Sequence, residues 1–505
     1  MALQAVWFKR DLRTFDHEAL CRACESGPTV CFYVIEPDYW RLDNTSNRQW
    51  HFVRESLLDL SDQLKVLGAT LVVHQGRVID FLETLYQERG QFTLHSHIET
   101  GIDWTYQRDK KVAEWCQAHQ LDWHEYSQNG VCRPVSARGT TFMEHWISWV
   151  AKPLLQIPEQ AQFVSLKNGL EPANWPIDVC IDDHPCHGRQ QGGRSKGLEV
   201  FHDFLTGRGE AYSGSISSPI TAESACSRLS PYLTYGCLSL KEVAQRTAER
   251  GEWAPNRQWA KSLAAFSRRL WWHCHWIQTF ETRCSIETLP MMSKMAQLER
   301  PFDHAKFEAW RTGNTGWPLV DACMRFLHHN GWLNFRMRAM LVSAATFSLS
   351  LPWKPVANHL AKLFVDFEPG IHYSQIQMQS GMMGNTVLRI YNPVSQAMDL
   401  DTDGHFVKQW VPELRQVSQT WIYEPWKMTP NLRSLAGWTE TDFYPQPLVD
   451  FKWVHKQAKA AVTQIRTGDK PKAPKIKEQD GAVKLKQVKA VKKKVDSDPS
   501  QMALF

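Results

Sequence analysis

The first 130 residues alternate between short apolar segments and longer segments whose apolar positions recur every three or four residues. Apolar segments of about four to eight residues are typical of buried strands, and the longer spacing is typical of helices with one buried face. Strands that alternate with helices predict a parallel sheet covered on both faces. We therefore expect a Rossmann-like α/β domain at 1–130, with strands at 2–8, 29–35, 69–74 and 92–97 and helices after Asp16 and at 48–67, 78–87 and 106–119.

The pattern changes after this domain. Prolines and glycines crowd the segment 150–198, so we interpret 131–197 as an interdomain connector. Beyond it, the spacing of apolar residues is that of buried helix faces. We expect an all-α C-terminal domain at 198–460, with helices at 198–206, 240–250, 259–280, 306–312, 319–329, 335–349 and 353–365.

The last segment, 461–505, becomes rich in Lys, Pro, Gln and Val after Gly468, which predicts a disordered basic tail. Residues 466–505 carry eleven Lys or Arg and five Asp or Glu. The whole chain has 58 basic and 53 acidic residues, so the remainder has 47 and 48 and is nearly neutral. A basic tail favours contact with nucleic acid, and a solubilising tail is the alternative.

Composition excludes several classes of protein. No apolar run approaches the roughly 18 residues of a membrane-spanning helix. Lys9, Arg10 and Asp11 lie where a signal peptide needs its apolar core, so we expect a cytoplasmic protein. The twelve cysteines are scattered along the chain, and the pair Cys21 and Cys24 has no second pair at zinc-site spacing, so we predict no metal. The 23 tryptophans suit a protein that stacks flat rings or moves electrons.

A series of motifs resembles the cryptochrome/photolyase family. In chain order they are WFKRDLR at 7–13 with DHEAL at 16–20, SRLSPYL at 227–233 with Gly236, TGWPLVDACMR at 315–325, Gly331 and Trp332, RMR at 336–338, RIYNP at 389–393, WVPEL at 410–414 and YPQP at 444–447. No cysteine follows Cys323, so the iron–sulfur cluster of some bacterial members is not expected. The resemblance implies an FAD protein of a divergent bacterial branch.

The sequence offers a phosphate-binding turn for such a cofactor. Ser227, Arg228, Leu229 and Ser230 precede Pro231, which can open a helix whose first N–H groups are free to bind an anion. By resemblance these residues bind FAD together with Tyr212, Arg268, Trp332, Arg338, Asp366, Glu368 and His372.

The resemblance also suggests how the flavin ring is tuned. Arg338 and Asp366 match an ion pair beside the ring, and Glu368 matches an acid near its opposite edge. His372 replaces an asparagine that faces flavin N5, and a histidine there can exchange a proton near neutral pH. We assign catalytic roles to Arg338, Asp366, His372 and Trp353. Trp353 matches the second tryptophan of the family's photoreduction chain.

Other positions depart from the family pattern. Ile376 replaces the first tryptophan of that chain, and the third is missing near Arg300. Ala264 stands where repair members carry a lesion-binding glutamate, and Met378 replaces a lesion-packing tryptophan. We assign DNA contacts to Arg389, Trp271, Trp272 and Met378, although burial in a helix core is the alternative for the two tryptophans.

These features leave three functions open. The first is light-driven repair of UV-damaged DNA by electron transfer from reduced flavin, and the second is a blue-light receptor without repair. The third is a DNA-binding protein with structural FAD. By resemblance, residues near Glu99 line a pocket for a second chromophore, a folate or a deazaflavin, and an empty site is the alternative. Gln501, Leu504 and Phe505 resemble a peptide that docks on the bacterial sliding clamp. We expect a monomer.

Overall fold

The computed structural model describes residues 2–134, 139–166, 169–180, 185–298, 300–383, 388–438 and 444–467. Its N-terminal part contains a five-stranded sheet in the order β3-β2-β1-β4-β5, in which every neighbouring pair is parallel. The predicted parallel α/β domain is therefore confirmed. The strands are β1 (Leu3–Phe8), β2 (Thr29–Ile35), β3 (Leu71–Gln75), β4 (Phe92–His97) and β5 (Trp123–Tyr126).

Helices connect consecutive strands, as the alternating pattern predicted. They are α1 (Glu18–Ser26), α2 (Pro37–Trp40), α3 (Asn47–Val66), α4 (Val78–Arg89) and α5 (Asp103–Ala118). The strand β5 was not predicted. It has four residues, and its two central side chains are exposed, so it lacks the apolar run that marks the other strands.

The connector is not a free linker. It contains α6 (Phe142–Val150) and then runs along the sheet. The Thr29 N–H donates to the Gln162 carbonyl at 2.8 Å, and the Leu170 N–H donates to the Val73 carbonyl at 2.8 Å. The proline-rich composition correctly predicted irregular backbone, but these hydrogen bonds fasten that backbone to the α/β domain.

The rest of the described chain is helical. Its helices are α7 (Arg194–Thr206), α8 (Tyr212–Ser215), α9 (Pro219–Ala225), α10 (Ser230–Thr234), α11 (Leu240–Glu252), α12 (Arg257–Thr282), α13 (His304–Arg311), α14 (Pro318–Asn330), α15 (Phe335–Ser343), α16 (Trp353–Leu363), α17 (Pro369–Gln379), α18 (Pro393–Leu400), α19 (His405–Trp410), α20 (Pro430–Leu435) and α21 (Phe451–Thr467). A single π-helical turn, Ala344–Ser348, follows α15. The predicted helical domain is confirmed.

The predicted boundary of the tail at residue 460 is wrong. The helix α21 continues to Thr467, with Val462 1% exposed and Ile465 packed against the core. Arg466 Nη2 donates to the Met383 carbonyl at 2.9 Å, which fastens the end of the helix. Residues 468–505, including the clamp-like Gln501, Leu504 and Phe505, lie outside the described residues. In the described ranges, no helix combines the length and the apolar character needed to cross a bilayer.

The segment 9–13, which follows β1, joins the two domains. Arg13 is 1% exposed, and its Nη1 donates to the Gly236 carbonyl at 2.9 Å. The Leu12 N–H donates to the Tyr235 carbonyl at 3.1 Å. The central strand of the sheet thus leads directly into the helical domain.

A buried cluster of Asp11, His17 and His97 holds this segment in place. Asp11 Oδ2 accepts from His17 Nε2 at 2.9 Å and from His97 Nδ1 at 2.7 Å, and its Oδ1 accepts from the Lys9 N–H at 2.7 Å. Among the described residues, one carboxylate and two imidazoles therefore lie close enough together to bind a metal ion. Since both imidazoles already bind the carboxylate, the hydrogen bonds account for the arrangement.

Replacing Gly236 with alanine is expected to destabilise the domain interface. Gly236 has φ +62°, and a Cβ there would meet the Arg10 carbonyl oxygen and lie 2.6 Å from Asp11 Cα. We expect a loss of about 2–4 kcal/mol in the free energy of unfolding, measured by urea denaturation. Gly68→Ala is the control, because φ is +79° there and nothing lies within 4 Å of the added Cβ. Equal losses in the two variants would show that backbone strain alone is responsible.

Candidate functional site

A cavity of about 320 Å³ lies inside the helical domain. It is lined by α8, α10, α12, α15, α16 and α17 and by the segments before α10, α15 and α17. Pockets of this size commonly hold small-molecule ligands. Its polar and aromatic lining includes Tyr212, Ser227, Arg228, Ser230, Arg269, Trp272, Trp276, Trp332, Asn334, Arg338, Asp366, Glu368, His372, Gln375 and Gln379.

The predicted ion pair forms on one wall of this cavity. Arg338 Nη2 donates to both Asp366 oxygens, at 2.8 and 3.0 Å. Its Nε donates to the Leu333 carbonyl at 2.6 Å, and its guanidinium lies 3.9 Å from the Phe364 ring centroid. The Asp366 side chain is 4% exposed and that of Arg338 is 23% exposed. A cation is therefore held in a fixed orientation at the cavity wall.

The turn before α10 forms the wall that the sequence predicted to bind phosphate. Ser227, Arg228 and Ser230 line the cavity, and Arg228 has a left-handed backbone with φ +56°. The Arg228 guanidinium lies 4.2 Å from the ring centroid of Trp332, which is also in the lining. Leu229 differs from the prediction, because its side chain is 1% exposed in the core and is not in the lining.

The arginine on α12 that lines the cavity is Arg269, whereas the predicted Arg268 is not part of the lining. Arg268 is exposed, whereas Arg269 lines the cavity and forms a hydrogen bond with Tyr212. Burial raises the pKa of Tyr212, and the hydrogen bond with Arg269 opposes this shift. Sequence spacing could have identified Arg269, because 266, 269, 273 and 276 share one helix face.

His372 lines the cavity, but its chemistry differs from the prediction. Its Nε2 donates to the Ala357 carbonyl at 2.9 Å, which fixes the tautomer and leaves Nδ1 as an acceptor. Burial lowers the pKa of His372 to about 3. The ring is therefore neutral at physiological pH, and the predicted proton exchange near neutral pH is not supported.

Two buried oxygens of the lining have no hydrogen-bond partner in the described structure. They are Glu368 Oε1 and Gln375 Oε1. Buried polar atoms are normally paired, because an unpaired one costs about 1–3 kcal/mol. The two oxygens therefore suit a ligand that brings N–H or O–H donors into the cavity. Gln375 was missed by sequence reasoning and carries no signal beyond its place on α17.

The tryptophans are distributed differently from the prediction. Trp272, which was predicted to contact DNA, lines the cavity and stacks on Trp276 at 5.6 Å. Trp271 is not in the lining, because its ring stacks on His275 at 5.1 Å. Trp353 is 9% exposed in the helical core and also lies outside the lining, whereas Ile376 is part of the wall.

Three further positions lie outside the cavity lining. Met378 is 9% exposed and packs in the core, while Gln375 and Gln379 of the same helix line the cavity. Arg389 is half-buried and outside the lining. Ala264 is exposed, so its small side chain does not alter the cavity.

The geometry agrees with two family matches. Residues 266–464 match the family described as the FAD binding domain of DNA photolyase, and residues 4–149 match the family described as DNA photolyase. The chain belongs to the cryptochrome/photolyase family. The resemblance drawn from the motifs is thereby confirmed.

Its relatives include proteins named photolyase and proteins named cryptochrome. It is 27% identical to a deoxyribodipyrimidine photo-lyase of Vibrio cholerae over 92% of this chain and 99% of that protein. It is 26% identical to a cryptochrome DASH of Gloeobacter violaceus over 88% of this chain and 92% of that protein. The structure of a class III photolyase from Agrobacterium tumefaciens has the same fold, with a TM-score of 0.80, 23% identity and coverage of 92% and 98%.

The cavity residues of this photolyase-family member fit the FAD that its second domain implies. Ser227, Ser230 and Arg228 offer donors for phosphate oxygens, and Arg338 offers a fixed cation for a flavin ring. Glu368 Oε1 and Gln375 Oε1 offer acceptors for ring N–H groups. The individual roles of these side chains remain predictions.

A second cavity, of about 40 Å³, lies beside Glu99, where the second chromophore was predicted. Arg108 is one of its lining residues. It donates to Glu99 at 2.6 Å and to Glu36 at 2.9 Å, and its guanidinium lies 4.7 Å from the Trp7 ring centroid. A space of this size suits a few water molecules and is smaller than a chromophore. The second chromophore remains a prediction.

Proposed function

We propose that this protein is an FAD-dependent, light-driven DNA photolyase that repairs UV-damaged pyrimidines. The observation that carries the proposal is the cavity of the FAD-binding domain, which combines a fixed cation with unpaired acceptors and stacked tryptophans. When bound, FAD would supply the photoexcited electron that splits the lesion.

The chain's own residues bind and orient the flavin ring and the damaged base. Arg338, held by Asp366 at 2.8 Å, favours negative charge on a ring beside it. Neutral His372 offers Nδ1 as an acceptor and no charge. Trp272 and Trp276 provide flat surfaces on which a base turned out of the duplex can stack. The buried apolar part of the lining keeps water away from the reacting groups.

The test is repair by the purified full-length protein. After chemical reduction, it is illuminated with oligonucleotides that carry one defined pyrimidine lesion, in single- and double-stranded form. Loss of the lesion in light but not in darkness supports the proposal and identifies the substrate. Chemical reduction bypasses the incomplete tryptophan chain. If the reduced, FAD-loaded protein removes no lesion in light, the proposed function is contradicted.

Two neighbouring arginines provide matched variants for the cofactor. We expect Arg269→Ala to weaken FAD binding about tenfold or more, because it removes a partly buried cation of the cavity wall. Arg268→Ala should leave FAD affinity unchanged, because Arg268 is exposed. Titration of the FAD-depleted variants with FAD measures both. Equal effects would contradict the assignment of this cavity.

A blue-light receptor is the second candidate. It is favoured by Ala264, Ile376 and Met378, which replace residues that the family uses for lesion binding or photoreduction. Its signature is a flavin that photoreduces while no lesion is repaired.

Further parts of the proposal follow from the sequence. We propose UV-damaged DNA as the partner, with Arg389 and the lysine-rich tail as sources of phosphate contacts. Binding of the sliding clamp by Gln501, Leu504 and Phe505, a monomeric state and a cytoplasmic location are also proposed. Deleting 501–505 and comparing binding to purified clamp tests the first of these.

A further inference from the structure

The two oxygens of the Glu368 carboxylate lie in different environments. Its Oε2 accepts from Arg10 Nη2 at 3.1 Å, whereas its Oε1 is buried without a partner in the described structure. The Glu368 side chain is 9% exposed and lines the large cavity. One oxygen is therefore fixed by the protein, and the other remains for whatever the cavity holds.

The cation that fixes Glu368 comes from the other domain. Arg10 follows β1, and its Nε donates to the Thr234 carbonyl at 3.1 Å. Its Nη2 also donates to the Phe367 carbonyl at 3.0 Å, and its guanidinium lies 5.6 Å from the Tyr235 ring centroid. Three contacts with the helical domain thus hold the guanidinium against Glu368, and its side chain is only 14% exposed.

We propose that Arg10 is a positioning residue that keeps Glu368 ionised, so that Oε1 is presented to the flavin as an acceptor for a ring N–H. An ionised carboxylate accepts with both oxygens, whereas a protonated one donates from one of them. This inference rests on the proposed binding of FAD in the large cavity. It adds a control of that site from the N-terminal domain.

Arg10 is the group that decides whether the Glu368 carboxyl group is ionised. Burial raises the pKa of Glu368, and Arg10 is the largest influence that lowers it, ahead of the Gly370 N–H. Without Arg10, a buried carboxylate would hold its proton more tightly. An unpaired carboxylate beside the ring would also disfavour an added electron.

Neighbouring groups do not replace Arg10 in this role. The titratable and charged groups around the pair are Glu99, Tyr39, Tyr235, His273, Cys274, His372, Arg338 and Asp366. Burial lowers the pKa of His273 to about 4 and raises the pKa of Cys274 and of both tyrosines. Glu99 is paired with Arg108 at 2.6 Å, and Arg338 is paired with Asp366 at 2.8 Å.

The first arm of the test is infrared spectroscopy of the full-length protein without FAD. Near neutral pH, Arg10→Gln should show the C=O band of a protonated carboxyl group, and this band should be missing in Arg10→Gln/Glu368→Gln. The wild type and Arg10→Lys should lack it. A band in the wild type that Glu368→Gln removes would overturn the proposal, even if Arg10→Gln fails to fold.

The second arm is the reduction potential of bound FAD, measured against the wild type at each pH. Relative to the wild type, the potential of Arg10→Gln should fall as pH rises through the raised pKa of Glu368, because an unpaired carboxylate then ionises. We expect at least a tenfold change in the one-electron equilibrium, or about 59 mV. Arg10→Lys should restore the wild-type profile, and Glu368→Gln should have a higher potential throughout. A wild-type profile in Arg10→Gln overturns the proposal.

The two arms separate this inference from the proposed function. If the protein retains no FAD, the proposed function fails while the infrared arm still reports the charge of Glu368. If FAD binds and repair occurs but Arg10→Gln behaves as the wild type in both arms, only the inference fails.

Discussion

Asp366→Ala is expected to deprive the protein of tightly bound FAD. The substitution leaves the Arg338 guanidinium at the cavity wall without the carboxylate that accepts from it at 2.8 and 3.0 Å. Breaking a buried pair in this way costs about 3–5 kcal/mol, and we expect about 2–4 because Arg338 is 23% exposed. We expect FAD affinity to fall separately by about 10–100-fold, which is about 1.4–2.8 kcal/mol of binding free energy. FAD titration and urea unfolding measure the two effects.

A second ion pair provides the control. Arg325 donates to both Glu413 oxygens at 2.8 and 2.9 Å, and neither residue lines the cavity. Glu413→Ala should cost about 1 kcal/mol or less and leave FAD affinity unchanged, because the pair is partly exposed. The double variant Arg338→Met/Asp366→Leu should recover stability without recovering FAD. Wild-type FAD affinity in Asp366→Ala would contradict the assigned site.

Asp11→Ala is expected to be among the most destabilising changes in the α/β domain. It removes the acceptor of His17 at 2.9 Å, His97 at 2.7 Å and the Lys9 N–H at 2.7 Å. Leaving buried donors unpaired costs about 1–3 kcal/mol each, so we expect a loss of about 3–5 kcal/mol after partial relaxation. Asp80→Ala, which breaks an exposed pair with Arg77, is the control and should cost under about 1 kcal/mol.

The same cluster predicts a dependence of stability on pH. Burial lowers the pKa of His97 from 6.5 to about 3. Between these values the unfolded chain binds more protons at this residue than the folded chain, so stability rises with pH. His97→Gln should therefore flatten the pH dependence below 6.5, by at most about 1.4 kcal/mol per pH unit. Urea unfolding at several pH values measures this, and an unchanged slope would contradict it.

The sequence was sufficient to predict the fold and much of the candidate site. Apolar spacing located four of the strands and the helical domain, because buried faces impose their period on the chain. The motifs located Arg338 and Asp366, which do pair at 2.8 Å. The end of α21 was also accessible to sequence reasoning, since Ala458, Val462 and Ile465 continue the apolar face that includes Val454.

Other features depended on three-dimensional contacts. The charge of His372 depends on burial and on the Ala357 carbonyl, 15 residues away. The pairing of Arg10 with Glu368 joins residues 358 positions apart, and no local pattern connects them.

That separation has a consequence for biosynthesis. A ribosome adds about 5–20 residues per second, so roughly 20–70 s pass between the emergence of Arg10 and that of its partner. During that interval the α/β domain can fold on its local strand–helix units, while Arg10 has neither Glu368 nor the Phe367 carbonyl. The FAD site is thus completed late in synthesis. A chain that stalls before α17 presents a folded α/β domain with an unpaired arginine at its edge.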